Sequence, residues 1–434
     1  MSGKKLLPVV FAVLLLFTGE MVLTQEAPKE SMLIPVSLGV EQVEPFLSVG
    51  ESVRGFKLAK GLSGLALVRS RVSNLWVSHH ATVNHSKSSL TRWVLKPFWD
   101  SQGLTLLATE GHPGIRRFYG NKGDAVVGGN VTTATLLSKE SGFEEPLILL
   151  ASQSGLLAVT LSGRAYGSDV AAGMEVKAMT PLPAGSGRAA LLLAGKKDGA
   201  RDSGLYLYLG RKHADSRNPA GVNGLTDGRL LALKLAEKKT EGALKKSGEV
   251  IDFTFTGNLD KRTLFADASG LCADPGDTSK VYAVTKGSDE RNANGGWMNH
   301  NGRLYSLSFS NPGRPEEGGT LKVLLGGTEG VIGPSCVAAA AGGVVLIGEA
   351  PRFPLPGRDT SIWKYEIRSG RLERLLEVRP PPGNDSERGE WKVSALLNAS
   401  TELRPDWWLA AVVESSFGKG ETGTKGQLVA VGLR

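Results

Sequence analysis

The sequence predicts an all-β fold, a single β-propeller of about five or six blades with long inter-strand loops. Twelve short apolar runs, the first at residues 62–68 and the last at 409–413, are bounded by Gly, Asp, Asn or Pro. Such runs are typical of half-buried strands. The 56 glycines and 21 prolines among 434 residues, with only 6% aromatic side chains, are typical of a turn-rich globular protein. Helical periodicity is scarce.

A recurring Gly-Arg turn followed by a strand supplies the repeat. It occurs at Gly163, Gly228, Gly302 and Gly370, at intervals of 65, 74 and 68 residues by subtraction. These intervals exceed the roughly 40 to 50 residues of common propeller blades, which is why long loops are expected. A pair of β-sandwiches would show similar strands and is the alternative. In a propeller, a central ligand would draw one or two residues from each blade.

The N-terminus predicts export. Lys4 and Lys5 precede an apolar run at 6–17, and small and polar residues follow. This is the pattern of a signal peptide, assigned to residues 1–24, and the run is shorter than the roughly 20 residues that span a bilayer. An uncleaved anchor is the alternative. Residues 25–60 are expected to form a loosely packed lead-in, and 61–434 the propeller. The protein is expected to be secreted, or periplasmic in a bacterium, without stable membrane insertion.

The charge of the chain is positive but dispersed. Lys and Arg number 51 against 43 Asp and Glu, for a net charge of +8 and a pI near 9.3. No stripe interleaves Arg with aromatic residues, so no nucleic-acid surface is predicted. The basic excess is consistent with a soluble surface or with an anionic partner such as a polysaccharide.

Covalent features follow from the predicted compartment. Cys272 and Cys336 would form one disulfide outside the cytosol, or stay as two buried thiols. Four Asn-x-Ser/Thr sequons predict glycosylation in a host that performs it, at Asn84, Asn130, Asn384 and Asn398.

Four stretches, in order, resemble the secreted PhoX-type alkaline phosphatases. They are residues 74–80 (NLWVSHH) with 89–95 (SLTRWVL), 206–212 (YLYLGRK) with 220–230 (AGVNGLTDGRL), 302–330 (GRLY to GTEG), and 362–366 (IWKYE) with 426–430 (GQLVA). Together they cover the chain from about residue 74 to its end. The resemblance implies a single propeller that holds calcium and iron ions over a phosphoester site.

The chain departs from that family where the family binds metal. Ser78, His79 and His80 stand in place of its Asn-His-Glu element, and its Glu-Asp pair falls on Ala268 and Ser269. Carboxylates are the ligands that hard cations require, so the metal shell is expected to be largely lost. Calcium is a possible cofactor and iron is not expected.

The remaining carboxylates are the predicted metal ligands. Glu349 follows an apolar strand, Asp267 and Asp274 flank Cys272, and Asp198 lies in the loop at 197–202, close enough to Asp202 to share a cation. Each has a plainer alternative, a solvent-exposed strand end for Glu349 and a turn-forming Asp for the others. Adjacent His79 and His80 would point to opposite faces of a strand, so that only one could face a channel.

The expected function is that of an extracellular binding or structural protein with a degenerate metal shell. The ligand is unidentified. A calcium- or iron-dependent phosphoesterase acting on a phosphate monoester is the alternative. No Gly-x-Ser-x-Gly elbow, HExxH motif or P-loop is present, and nucleophilic serine chemistry has no support in the sequence.

Overall fold

A computed structural model describes most of the chain after the N-terminus. The described residues are 30–83, 88–100, 103–119, 131–137, 146–152, 155–168, 171–183, 188–198, 203–211, 228–236, 253–257, 265–291, 297–299, 301–351, 358–379, 391–414 and 425–434. Ser31–Arg434 form one compact unit. No helix in the described part of the chain is long and apolar enough to cross a membrane.

The described residues are almost entirely β-strand, as predicted. The first half holds β1 (Leu33–Pro35), β2 (Val40–Ser48), β3 (Ser52–Val53), β4 (Phe56–Lys57), β5 (Leu62–Arg69), β6 (Ser73–Val83), β7 (Ser88–Asp100), β8 (Gly103–Pro113), β9 (Arg117–Tyr119), β10 (Val131–Leu137), β11 (Leu147–Ser152), β12 (Gly155–Thr160), β13 (Arg164–Ser168), β14 (Met174–Leu182), β15 (Arg188–Lys197) and β16 (Gly204–Arg211). The second half holds β17 (Gly228–Ala236), β18 (Phe253–Thr256), β19 (Ala268–Asp274), β20 (Asp277–Thr285), β21 (Ser288–Arg291), β22 (Trp297–Asn299), β23 (Arg303–Phe309), β24 (Gly319–Leu325), β25 (Pro334–Ala340), β26 (Val344–Glu349), β27 (Ser361–Glu366), β28 (Arg371–Val378), β29 (Trp391–Asn398), β30 (Trp407–Glu414) and β31 (Gly426–Leu433). A 3-10 turn at Pro315–Glu317 is the one helical element among the described residues.

The strands form a six-bladed β-propeller. Blades 1, 2 and 3 are β5-β6-β7-β8, β10-β11-β12-β13 and β14-β15-β16-β17; blades 4, 5 and 6 are β19-β20-β23-β24, β25-β26-β27-β28 and β29-β30-β31-β2. The innermost strands β5, β10, β14, β19, β25 and β29 each contact the next, and β29 contacts β5. The ring is therefore closed, which fixes the blade number within the predicted range.

One hydrophobic cluster fills each gap between neighbouring blades, six in all. Alternate side chains of a strand serve two gaps. In β6, Leu75 and Val77 pack towards blade 6, whereas Trp76 packs towards blade 2. Strands buried on both faces read as continuous apolar runs. For that reason each of the twelve predicted runs coincides with an observed strand, and only the runs at 156–161 and 362–367 extend one residue beyond its end.

Residues 33–48 belong to the blades, contrary to the loosely packed lead-in predicted for 25–60. β2 pairs with β31 as the outermost strand of blade 6, with Val40 opposite Leu433, and β1 adds a fifth strand to blade 5. Both are edge strands, which tolerate Pro35 and Pro45 because an outer edge needs no further N–H donors. β2 and β31 lie almost the whole length of the chain apart in sequence. Their pairing therefore leaves no local pattern from which it could be predicted.

The predicted disulfide is not formed, since Cys272 and Cys336 are free thiols. They face different gaps. Cys272 packs between blades 4 and 5, and Cys336 packs between blades 5 and 6. Burial raises the pKa of both thiols, that of Cys336 to about 12, which makes them unreactive.

Candidate functional site: a cationic channel mouth

Each innermost strand carries a β-bulge near its N-terminal end. The register skips one residue per strand at this level, and the skipped residues are Ser63, Thr132, Lys177, Ser269, Ser335 and Ser394. A bulge turns the extra side chain away from the regular alternation and is common beside functional sites. All six residues line one cavity at the mouth of the channel, five hydroxyls and one ammonium.

Charged side chains surround this mouth. The cavity has a volume of ≈ 270 Å³ and is also lined by His80, Glu175, Lys286 and Lys392. With Lys177 it therefore holds three lysines, contributed by blades 3, 4 and 6. Deeper in the channel, a second cavity of ≈ 320 Å³ is lined mainly by small and apolar residues of the same strands.

Only one of the three lysines has a close carboxylate partner among the described residues. Lys177 Nζ lies 2.5 Å from Asp267 Oδ1 and 4.0 Å from Glu175 Oε1. Lys286 and Lys392 make no ion pair with a described carboxylate. Among the described residues, Glu175 and Asp267 count against the three lysines, which leaves a surplus of one positive charge that attracts anions.

The pKa values of the site residues reflect this crowding. Burial, together with Lys392 and Lys177, lowers the pKa of Lys286 to about 8, although Asp267 opposes the change. Burial also lowers the pKa of Lys392. Burial, followed by the charges of Lys392 and Lys286, lowers the pKa of His80 to about 4. At neutral pH His80 is uncharged, and it offers a neutral imidazole beside the ammonium groups.

Asp267 is held in an unusual backbone conformation, with φ of 58°. Its carbonyl accepts a hydrogen bond from the Lys286 backbone N–H at 3.0 Å. The left-handed region is costly for most residues but is visited by Asp and Asn. The turn fixes Asp267 beside Lys177 and brings the Lys286 backbone to the same mouth.

The two adjacent histidines face opposite sides of β6, as predicted. His79 is fully buried, and its Nε2 lies 2.9 Å from Thr91 Oγ1 and its Nδ1 3.2 Å from the Lys60 carbonyl oxygen. Burial lowers the pKa of His79 to about 4. His79 is thus a core residue, whereas His80 lines the mouth.

Glu349 is fully used by the fold. Oε1 accepts hydrogen bonds from the Ile332 N–H at 2.8 Å, from Arg358 at 2.6 Å and from the Trp363 indole at 2.9 Å. Oε2 accepts one from the Ser361 N–H at 2.9 Å. Burial raises the pKa of Glu349, and Arg358 acts in the opposite direction. The carboxylate ties β26 to β27 and has little capacity left for a metal ion.

The other predicted ligands do not assemble either. Asp267 precedes β19 and Asp274 ends it, so they are separated by roughly 20 Å at about 3.3 Å per residue. Asp274 accepts hydrogen bonds from the Tyr282 hydroxyl and the Gly276 N–H, both at 2.8 Å. Asp198 is exposed at the end of the β14–β15 pair.

The described residues therefore do not fit a calcium or iron shell. Among them, no three His, Cys, Asp or Glu side chains form a group able to hold a metal ion. The mouth itself is lined by three ammonium groups, which repel cations.

Three of the predicted glycosylation sites, Asn84, Asn130 and Asn384, lie outside the described residues. Asn398 ends β29, where its amide donates a hydrogen bond to the Ala339 carbonyl at 2.8 Å and its Oδ1 accepts one from the Ser400 N–H at 2.9 Å.

The bulge residues are not among those predicted from the sequence, although the sequence carries a weak signal for them. A polar residue followed by a small and then an apolar residue recurs as Ser63-Gly64-Leu65, Ser269-Gly270-Leu271, Ser335-Cys336-Val337 and Ser394-Ala395-Leu396. The Gly-Arg repeat is less regular, since it opens the fourth strand of blades 2, 3 and 5 but the third strand of blade 4.

Comparisons with known proteins identify no family. No family model matches the chain, and no curated protein matches it. Among solved structures, an α-L-arabinofuranosidase from Fusarium graminearum in complex with an iminosugar inhibitor matches at 8% identity and a TM-score of 0.42, covering 85% of this chain and 92% of that one. An α-L-arabinofuranosidase from Clostridium thermocellum matches at 9% identity and a TM-score of 0.33, covering 83% of each chain. The blade number therefore rests on the strand order and the closed ring.

Proposed function

We propose that this protein is an exported binding protein that holds an anionic ligand at the mouth of its channel. The observation that carries the proposal is the convergence of Lys177, Lys286 and Lys392 on one cavity with a surplus of positive charge. A half-buried ammonium group without a carboxylate partner gains most from an anion, because the local dielectric constant is lower than that of water. Export is proposed from the N-terminal Lys-Lys and apolar pattern.

The relationship to PhoX-type phosphatases stays a prediction. An anion-binding mouth is compatible with a relationship to enzymes that bind phosphate esters, but lysines and hydroxyls line this mouth, whereas a site for calcium or iron needs carboxylates. Binding without turnover is therefore the function that these residues support best.

The test is calorimetric titration of the protein with inorganic phosphate and with acetate at low ionic strength. We expect Lys392→Gln to weaken binding by about tenfold, corresponding to about 1.4 kcal/mol. Lys322→Gln is the matched control, since it removes one lysine from the exposed face of β24. Equal affinities in the two variants, or no binding of either anion, would refute the proposal.

The alternative function, a metal-dependent phosphoesterase, is tested by an assay of p-nitrophenyl phosphate hydrolysis with calcium- and iron-loaded protein. Turnover that chelation abolishes would favour a metal-dependent phosphoesterase. We expect no turnover.

A further inference from the structure

We propose that the ligand is an acidic sugar, a monosaccharide unit whose anionic group meets the lysines and whose hydroxyls donate to the ring of bulge hydroxyl oxygens. The inference deepens the proposed function and rests on it. It derives from the hydrogen bonds that the five hydroxyls already make.

Each of the five bulge hydroxyls already donates its hydrogen to the backbone. The hydroxyls and the carbonyl oxygens that accept from them are Ser63 and Val131 (3.0 Å), Thr132 and Val176, Ser269 and Pro334 (2.8 Å), Ser335 and Val393 (2.7 Å), and Ser394 and Ala411 (3.2 Å). Four of these five acceptors belong to the next blade of the ring. At the sixth position, the Lys177–Asp267 ion pair makes the corresponding link from blade 3 to blade 4.

A hydroxyl whose hydrogen is committed offers only its lone pairs to the cavity. A serine or threonine hydroxyl carries one donor and two acceptor positions. The hydroxyls of the ring therefore present acceptors, whereas Lys177 in the same ring, with Lys286 and Lys392 on the same cavity, presents donors and positive charge. A ligand that satisfies both must carry an anionic group and several uncharged donors. A sugar with a carboxylate, phosphate or sulfate group has this combination, whereas a simple anion leaves the ring to water.

The cavity size favours a small ligand. Its volume of ≈ 270 Å³ lies just below the roughly 300–1,000 Å³ of pockets that enclose drug-sized molecules. A single sugar ring, or one sugar of a longer chain entering from outside, is in this range. A positively charged group on the ligand would be repelled by Lys286 and Lys392.

The experiment compares five ligands by calorimetric titration, namely acetate, inorganic phosphate, glucose, glucuronate and glucose 6-phosphate. We expect glucuronate to bind at least about tenfold more tightly than acetate, or glucose 6-phosphate at least about tenfold more tightly than phosphate, with glucose weaker than either sugar acid. The tighter of the two identifies the acid group. If the two sugar acids bind no more tightly than acetate and phosphate, the sugar proposal is wrong and anion binding stands. If glucose binds as tightly as glucuronate, both are wrong.

Variants of the ring supply the second readout. Ser335→Ala should weaken glucuronate binding about threefold and leave acetate binding unchanged, and Ser335→Thr should restore it. Because Ser335 links blades 5 and 6, thermal unfolding is measured in parallel. Should Ser335→Ala fail to fold, Ser394→Ala is used, since its hydroxyl bonds within blade 6. Equal losses for acetate and glucuronate would contradict a contact with the sugar hydroxyls.

Discussion

Two charged networks at the same face of the propeller differ in one respect, the use of their hydrogen-bonding capacity. The Glu349 carboxylate has no exposed surface and accepts four hydrogen bonds. Lys286 and Lys392 at the channel mouth make no ion pair with a described carboxylate and face a cavity. A saturated network stabilises the fold, whereas an unsaturated one has binding energy left for a ligand. The sequence marks Glu349 as the more conspicuous residue, but its carboxylate is saturated, whereas the lysines keep the capacity that the proposed anion binding uses.

Removing the charge of Glu349 should break the saturated network. Its effect on the free energy of unfolding is the largest effect that we expect. Glu349→Gln replaces an acceptor with an NH₂ group facing donors and leaves Arg358 uncompensated, so we expect a loss of about 3 kcal/mol of folding free energy. Chemical denaturation measures it. Glu317→Gln, at an exposed pair with Arg314, should cost less than about 1 kcal/mol. Loss of anion binding with unchanged stability would instead make Glu349 part of the site.

The two adjacent histidines determine how the stability of the fold depends on pH. His79 binds a proton near pH 6.5 in the unfolded chain but only near 4 in the fold, because it is buried. Between pH 6.5 and pH 4 the unfolded state binds more protons than the folded state. The free energy of unfolding therefore decreases as the pH falls. At 1.36 kcal/mol per pKa unit, the loss approaches about 3 kcal/mol by pH 4.

Denaturation at pH 7 and pH 4.5 tests this slope. His79→Gln should be less stable at neutral pH but should lose less stability on acidification than the natural protein. His80 adds a slope of its own, which the variant keeps. His112→Gln, on the partly exposed outer strand β8, is the control. An unchanged slope in His79→Gln would show that His79 is not the group responsible.

Much of the fold follows from the sequence, but the site does not, and the reason lies in the innermost strands. The predicted runs include β5 but none of β10, β14, β19, β25 and β29. Those strands line the channel and carry Ser, Thr, Lys, Gly and Ala in place of a steady apolar alternation, as Ser335-Cys336-Val337-Ala338 illustrates. Periodicity detects strands packed between blades. The bulges that align six polar side chains depend on pairing register, which the pattern does not encode.

Asp267 pairs with Lys177 at the channel mouth, and removing its charge should enlarge the charge surplus. Asp267→Asn frees Lys177 and tolerates the positive φ, so we expect anion affinity to rise about fivefold, or about 1 kcal/mol. Asp277→Asn is the matched control, since Asp277 pairs with Lys280 at the far end of β19–β20. Calorimetric titration with phosphate gives the comparison. Weaker binding in Asp267→Asn would mean that Asp267 positions Lys177 for the ligand.

The smallest expected effect is the response of the mouth to alkaline pH, and it identifies which lysine carries the surplus charge. Lys286 has a pKa of about 8 because of burial and of Lys392 and Lys177, with Asp267 acting in the opposite direction. As the pH rises from 7 to 9, Lys286 loses its proton, the surplus disappears and anion affinity should fall about threefold.

A bound anion favours the charged ammonium, so binding near pH 8 takes up a proton, and the calorimetric enthalpy should depend on the ionisation enthalpy of the buffer. Lys286→Met should abolish that proton uptake and flatten the affinity between pH 7 and 9, whereas Lys322→Met should keep both. A pH dependence that persists in Lys286→Met would transfer the titrating charge to Lys392, the other lysine whose pKa burial lowers.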